Sequence, residues 1–197
     1  MRNFIQPALP ASAFTREWLQ ANGIPHLEFR GWVIEAGMEF DSGLIWWGKG
    51  GQRPRAHEGI DLAAWLTVGG ERRQVAVGDL IPVAYSGVVR TFLPDFVAVS
   101  VWVRHAEIRS GPWTLYSVYA HVNPVDGLCL GKEVGEGEVV ASVAASTGLS
   151  GPPPHLHLSL AFVDDTVEDQ ALDWARIHKA PGVRWIDPGH LLVPGTG

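Results

Sequence analysis

A mainly β fold is predicted by three features of this 197-residue sequence. Glycine and proline are abundant, at 23 and 14 residues, and they punctuate the chain at short intervals. Between them lie runs rich in β-branched and aromatic residues, which suit a pleated surface. Helix-type periodicity is modest over most of the length. The expectation is an antiparallel β sandwich or barrel with a short N-terminal helix and one C-terminal helix. At about 100–200 residues per domain the chain makes one domain plus a short appendage, here an N-terminal arm over residues 1–30 and a main domain over 31–197.

Residues Ser12–Asn22 fit an amphipathic helix. Ser12 can cap it, Phe14, Trp18 and Leu19 share a face, and Gly23 can stop it. From Leu27 the pattern turns to strands, with Phe29, Trp32, Val33 and Ile34 in one run. Val75–Val89 reads as strand, glycine turn and strand. Phe96–Ile108 alternates, Trp113–His121 is dense in aromatic and β-branched residues, and Glu138–Ala144 and His155–Val163 complete the set. Val167–His178 predicts the C-terminal helix. Acids lie at its start, Ala171, Leu172 and Trp174 within it, Arg176 and Lys179 near its end, and Pro181-Gly182 beyond.

Composition excludes several classes. Lys+Arg of 15 against Asp+Glu of 21 gives a net charge of −6 with no basic block, which is not the footprint of a nucleic-acid binder. The single cysteine, Cys129, allows neither an intrachain disulfide nor a cysteine zinc finger, and its apolar turn predicts a buried, inert thiol. No apolar run approaches the ~20 residues that span a bilayer. Residues 1–19 carry two arginines, two prolines and no continuous apolar stretch, so they do not read as a cleavable secretory signal.

The chemistry gathers around three of the histidine positions. His57-Glu58-Gly59-Ile60-Asp61 offers an imidazole and a carboxylate, both good zinc ligands. Pro54 and Gly59 oppose a helix there, so Glu58 is not placed as the general base of a helical zinc motif; a solvated side chain is expected, with orientation of a ligand as the alternative role. His155-Leu156-His157 opens a strand, where residues two apart share a face, so both imidazoles can converge on one point while Leu156 and Leu158 face the core. His121 ends the strand that starts at Trp113 and is a weak signal by itself. A catalytic zinc takes three protein ligands and keeps one position for water. His57, Asp61 and one member of the His155/His157 pair supply three; the other member and His121 are left to move protons.

These motifs have a familiar order. HEGIDLA (57–63), YAHV (119–122) and HLHL (155–158) resemble the lysostaphin-type zinc endopeptidases, which cleave peptide cross-bridges of bacterial cell walls. The similarity extends to VGDLIPVAYSGVV (77–89), GKEVGEGEVVASVAASTG (131–148) and WIDPGHLL (185–192), and so covers roughly Trp32 to Leu192. The resemblance implies a β fold of the duplicated-hybrid-motif type with a narrow groove floored by an antiparallel sheet. It implies one zinc per chain held by His57, Asp61 and His157, with His121 and His155 as the catalytic, non-ligating pair. It further implies a peptidoglycan peptide as substrate and a periplasmic or extracellular location. Departures from the family pattern lie at Leu149–Pro154, at Leu158-Ser159 and over 40–55, near the expected groove walls, and bear on substrate preference. Two other readings use the same residues: a non-catalytic cell-wall-binding or regulatory module on this fold, and a zinc peptidase acting inside the cell.

Among the nine tryptophans, Trp102 and Trp113 are expected in the core. Trp46 and Trp47 are left as a possible stacking platform for glycan rings. His26, His105, His178 and His190 are expected to be surface or structural. The arm before Arg30 is a candidate inhibitory segment over the groove.

Overall fold

The computed structural model describes residues 4–146, 151–174, 177 and 180–193. Helix α1 spans Phe14–Ala21. The N-cap is Ala13 rather than Ser12; the Ser12 hydroxyl accepts from the Phe14 N–H at 3.1 Å and donates to the Ala84 carbonyl at 2.7 Å, which ties the start of the helix to the chain that follows β7. Phe14, Trp18 and Leu19 are buried in one cluster with Leu62, Ile81, Leu115 and Phe162.

The strands are, in chain order, β1 Phe29–Trp32, β2 Leu44–Ile45, β3 Gly51–Gln52, β4 Ile60–Leu62, β5 Ala64–Thr67, β6 Arg72–Gln74 and β7 Leu80–Pro82, then β8 Gly87–Pro94, β9 Val99–Ser110, β10 Trp113–Pro124, β11 Glu133–Val134, β12 Val139–Val143, β13 Leu156–Asp164 and β14 Val183–Ile186. A nine-stranded sheet runs β11-β8-β9-β10-β12-β7; β13 pairs with β10 and also with β4 and β14. Strands β1, β5 and β6 form a second, smaller sheet and β2 and β3 a hairpin. The pairings are antiparallel, and the fold is mainly β as expected. Boundaries differ in places. The run at 75–77 is a connection into a turn at Gly78 rather than a strand, Val33 and Ile34 lie beyond β1, and Phe96 falls in the β8–β9 turn.

Strand β10 organises the molecule. Up to Ala120 it pairs with β13, and from Val122 it pairs with β12. The sheet therefore forks at His121. Side-chain alternation sends Leu156, Leu158, Leu160 and Phe162 of β13 into the cluster under α1. Ala161 and Val163 face the other way, with Trp102, Tyr116 and Val118, into a second cluster covered by Leu172, Ile177 and Val183. His157 and Ser159 share that second face. The cover extends to Trp174, whose ring centroid is 6.2 Å from that of His157.

The predicted C-terminal helix is not continuous. Among the described residues of 167–178 there is a 3-10 turn at Asp169–Ala171, the chain is not helical at Leu172–Trp174, and Ile177 lies in a further helical turn with its N–H donating to the Asp173 carbonyl at 2.7 Å; Arg176, His178 and Lys179 lie outside the described residues. The reason is visible in the packing. Leu172 and Trp174 both lie against the second cluster, a two-residue spacing that a helix would send to opposite sides. Asp169 is held by Arg90 at 2.8 Å and by the Tyr116 hydroxyl at 3.0 Å. Cys129 is exposed rather than buried, in the turn between β10 and β11. Trp102 and Trp113 are core residues. Among the described residues no helix is long and apolar enough to cross a membrane.

His105 is structural. It is 1% exposed, donates from Nδ1 to the Ser86 carbonyl at 3.0 Å and pairs through Nε2 with the Ser117 hydroxyl at 2.9 Å. Burial drives its pKa down from 6.5 to about 4. The unfolded chain thus takes up this proton near pH 6.5 while the folded chain resists until about pH 4, so the contribution is present above pH 6.5 and is lost as the pH falls towards 4. Between pH 7 and pH 5 the loss is about 2 kcal/mol. Urea unfolding at those two pH values should show a smaller difference for His105→Gln than for the wild type.

Candidate metal centre

Register builds the site. Strands β4 and β13 pair with Asp61 directly opposite His157, so the carboxylate and the imidazole meet on one face of the sheet. His57 reaches them by a tight turn through Gly59. Its backbone is tied down by Asp41 N–H to the His57 carbonyl at 2.8 Å and His57 N–H to the Ser42 carbonyl at 2.9 Å. Asp61 Oδ1 lies 3.1 Å from His57 Nε2 and 2.8 Å from His157 Nδ1, and the two nitrogens are 3.0 Å apart. All three residues are buried, and they form a cluster able to hold a metal ion.

The surroundings fix which atoms face inward. The Glu39 carbonyl can only accept, so His57 donates to it from Nδ1 at 3.0 Å and presents Nε2 as a lone pair. Asp61 Oδ2 accepts from Trp46 Nε1 at 2.7 Å and from Arg53 at 3.1 Å, which leaves Oδ1 for the centre. His157 Nε2 pairs with the Ser159 hydroxyl at 2.8 Å and lies 4.0 Å from Glu58. Burial acts first on Asp61, raising its pKa, but the hydrogen bond and charge of His157, with the neighbouring His57 and His155, outweigh it and hold the carboxyl well below the usual range. Burial lowers the His157 pKa, against the pull of Asp61. The centre therefore gathers an anionic oxygen and two imidazole nitrogens.

That arrangement suits a zinc ion. Tetrahedral zinc with bonds of about 2.0–2.2 Å sets its ligand atoms about 3.3 Å apart, and the three atoms here need move only a few tenths of an ångström to meet that spacing. The partners at Glu39, Trp46, Arg53 and Ser159 are the outer hydrogen bonds that orient metal ligands.

The two remaining histidines stand beside the centre. His155 precedes β13, donates from Nδ1 to the Pro153 carbonyl at 2.8 Å and has Nε2 3.7 Å from Asp61 Oδ1. Burial, opposed by Asp61 and helped by His121, lowers its pKa to about 4. His121 sits at the fork of β10 with φ 64°, and the β9–β10 register is irregular between Tyr119 and Val122. The bulge lets both Ala120 and His121 line one groove, which regular alternation would forbid. Asp95 accepts from His121 Nδ1 at 3.0 Å. Burial raises the Asp95 pKa, and the bond and charge of His121, with the Ala98 and His121 N–H groups, more than reverse this.

Of the five residues singled out from sequence, Asp61, His121, His155 and His157 line one groove of about 480 Å³, and His57 meets Asp61 and His157 from beneath it, 1% exposed and bordering a neighbouring cavity with Phe40 and Arg184. The groove walls add Trp47, Phe96, Arg53, Glu58, Asp173 and Trp174. None of the described residues before Arg30 lines the groove. Trp47 stacks on Phe96 at 6.3 Å with the Arg53 guanidinium 5.1 Å over its ring, whereas Trp46 serves Asp61. Glu58 is half-buried beside His157 rather than solvated. Sequence reading missed Asp95 and Arg53. A Pro94-Asp95-Phe96 turn between two strands signals an aspartate that binds backbone, but its link to His121 requires the β8–β9–β10 register.

No family profile matches the chain, and no curated protein matches it significantly. Solved structures do overlay on it. The chain is similar to LytU, with 18% identity and a TM-score of 0.47 over 83% of this chain and 93% of that one. It is similar to a candidate M23 peptidase from Pseudomonas aeruginosa, with 21% identity and a TM-score of 0.44 over 85% of this chain. It is also similar to the catalytic domain of lysostaphin from Staphylococcus simulans, with 14% identity and a TM-score of 0.41 over 82% and 92%. The chain spans 56% of the Pseudomonas protein.

Proposed function

We propose that this protein is a zinc-dependent endopeptidase that hydrolyses peptide bonds in the cross-bridges of bacterial peptidoglycan. The observation that carries the reading is the convergence of Asp61 Oδ1, His57 Nε2 and His157 Nδ1 within 3.1 Å of one another, with Asp61 and His157 lining a groove beside His121 and His155. His57, Asp61 and His157 would hold one zinc ion. Bound there, zinc supplies Lewis-acid polarisation of a carbonyl and lowers the pKa of a coordinated water towards ~7. The rest falls to the chain. His155 and His121 both spend Nδ1 on fixed acceptors, Pro153 and Asp95, so each keeps Nε2 as its acceptor. One can take a proton from water and return it to the leaving amine; the other, when its Nε2 also carries a proton from solvent, can donate a hydrogen bond to the oxyanion that develops on the substrate. The peptidoglycan assignment is supported by the ordered HEGID, YAH and HLH motifs, and a periplasmic or extracellular location goes with it.

The test is digestion of purified muropeptides by the zinc-loaded protein, with products read by mass. A cross-linked species should give two fragments whose summed mass exceeds it by one water, and a chelator should stop the reaction. Intact muropeptides at full zinc occupancy would favour the non-catalytic module instead.

A further inference from the structure

Asp95 is a buried carboxylate in the β8–β9 turn, and every partner around it is a donor. Oδ1 accepts from the N–H groups of Val97 at 2.9 Å and Ala98 at 2.8 Å, and from His121 Nδ1 at 3.0 Å. Oδ2 accepts from the Ser100 hydroxyl at 2.8 Å and the His121 N–H at 2.9 Å. Two turn amides and a hydroxyl therefore fix the carboxylate before it meets the histidine. Ser100 in turn accepts from Trp174 Nε1 at 3.0 Å, which joins this network to another residue that lines the groove. Against that anchor His121 is gripped twice, by its backbone and by its ring, at the one non-glycine residue of β10 with a left-handed backbone. The Phe96 ring meets the imidazole at 4.6 Å and 68° and limits its tilt.

We propose that Asp95 is the positioning residue of the site: it fixes His121 as the Nδ1–H tautomer and aims Nε2 into the groove. The chemistry is general. A neutral imidazole has one donor and one acceptor nitrogen, and a carboxylate that can only accept decides which is which. A free histidine has no such bias. The double grip also explains the backbone at 121. With its N–H and Nδ1 both pointed at one carboxylate, the residue is locked in a left-handed conformation that non-glycine residues rarely adopt, and its ring lines the groove beside Ala120.

The activity arm of the test rests on the hydrolase reading; the spectroscopic arm does not. Nitrogen-15 NMR of the zinc-loaded protein near neutral pH should show His121 as Nδ1–H, with a far-downfield proton. In Asp95→Ala that signature should vanish. Zinc content should stay at the wild-type value and hydrolysis should fall about 10²–10⁴-fold in kcat with KM unchanged. Ser100→Ala, which removes one anchor of the carboxylate but not the ring contact, should keep the signature and most of the rate. An Nε2–H tautomer in the wild type overturns the proposal without any variant. So does a wild-type rate in Asp95→Ala, or a Ser100→Ala protein that keeps the signature yet loses as much rate as Asp95→Ala, since the carboxylate would then serve the turn alone. If the tautomer follows Asp95 but the wild type hydrolyses nothing, the peptidase reading fails and the positioning role stands.

Discussion

Replacing His157 by alanine is expected to strip the centre of zinc, whereas replacing His121 by alanine is expected to leave zinc in place and stop hydrolysis. The contrast follows from where each ring stands. His157 Nδ1 is 2.8 Å from Asp61 Oδ1 and 3.0 Å from His57 Nε2, so its removal leaves two ligand atoms where a catalytic zinc uses three. Loss of an outer partner of a metal ligand already costs about 10–100-fold in affinity, and loss of the ligand itself should exceed that. His121 makes its polar ring contact to Asp95 rather than to Asp61, and its absence does not change the ligand set. Removing a general acid or base lowers kcat by about 10²–10⁴-fold. Metal analysis after dialysis, run beside a peptide-bond cleavage assay, separates the two variants. A His157→Ala protein that retains full zinc, or a His121→Ala protein that retains full rate, removes that residue from its proposed role.

The separation between these two histidines shows what the sequence could and could not reveal. The His155-Leu156-His157 spacing is a strand signal because the period of two is imposed by the backbone, and β13 does send Leu156 and Leu158 inward and His157 to the groove. Asp61 opposite His157 was approachable only through the order of motifs, since strand register depends on residues far apart in the chain. His121 was harder still. Its direction is set by a bulge and by φ 64°, and neither is written in the residues next to it. The carboxylate that holds it comes from 26 positions earlier. The C-terminal helix misled for the converse reason. Its charges and apolar residues fit a helix taken in isolation, but Leu172 and Trp174 gain more by lying together on the second face of the sheet, and tertiary burial overrides local propensity.

The second large effect is expected at Gly59, whose part in the site is steric. A β-carbon there would lie 2.4 Å from the Leu158 carbonyl oxygen, 2.4 Å from the Ser159 hydroxyl and 3.0 Å from His157 Nε2. The hydroxyl could rotate away, but the carbonyl belongs to β13, which is held by β10 on one side and by β4 and β14 on the other. The strand cannot yield, so the His57–Ile60 turn must. Gly59→Ala should then push His57 and Asp61 away from His157 and strain the β4–β13 pair. Overpacking of this kind typically costs about 1–3 kcal/mol, and a clash against backbone should place this variant at the upper end. Because the displaced turn carries two of the three ligands, the loss should be larger still with zinc present, where the wild type gains binding energy that the variant forgoes. Urea unfolding with and without zinc reads both parts: a lower midpoint in the metal-free protein, and a smaller upward shift when zinc is added. An unchanged zinc shift would mean that the turn relaxes without moving its ligands, and that the close approach at Gly59 serves the packing of β4 on β13 but not the centre.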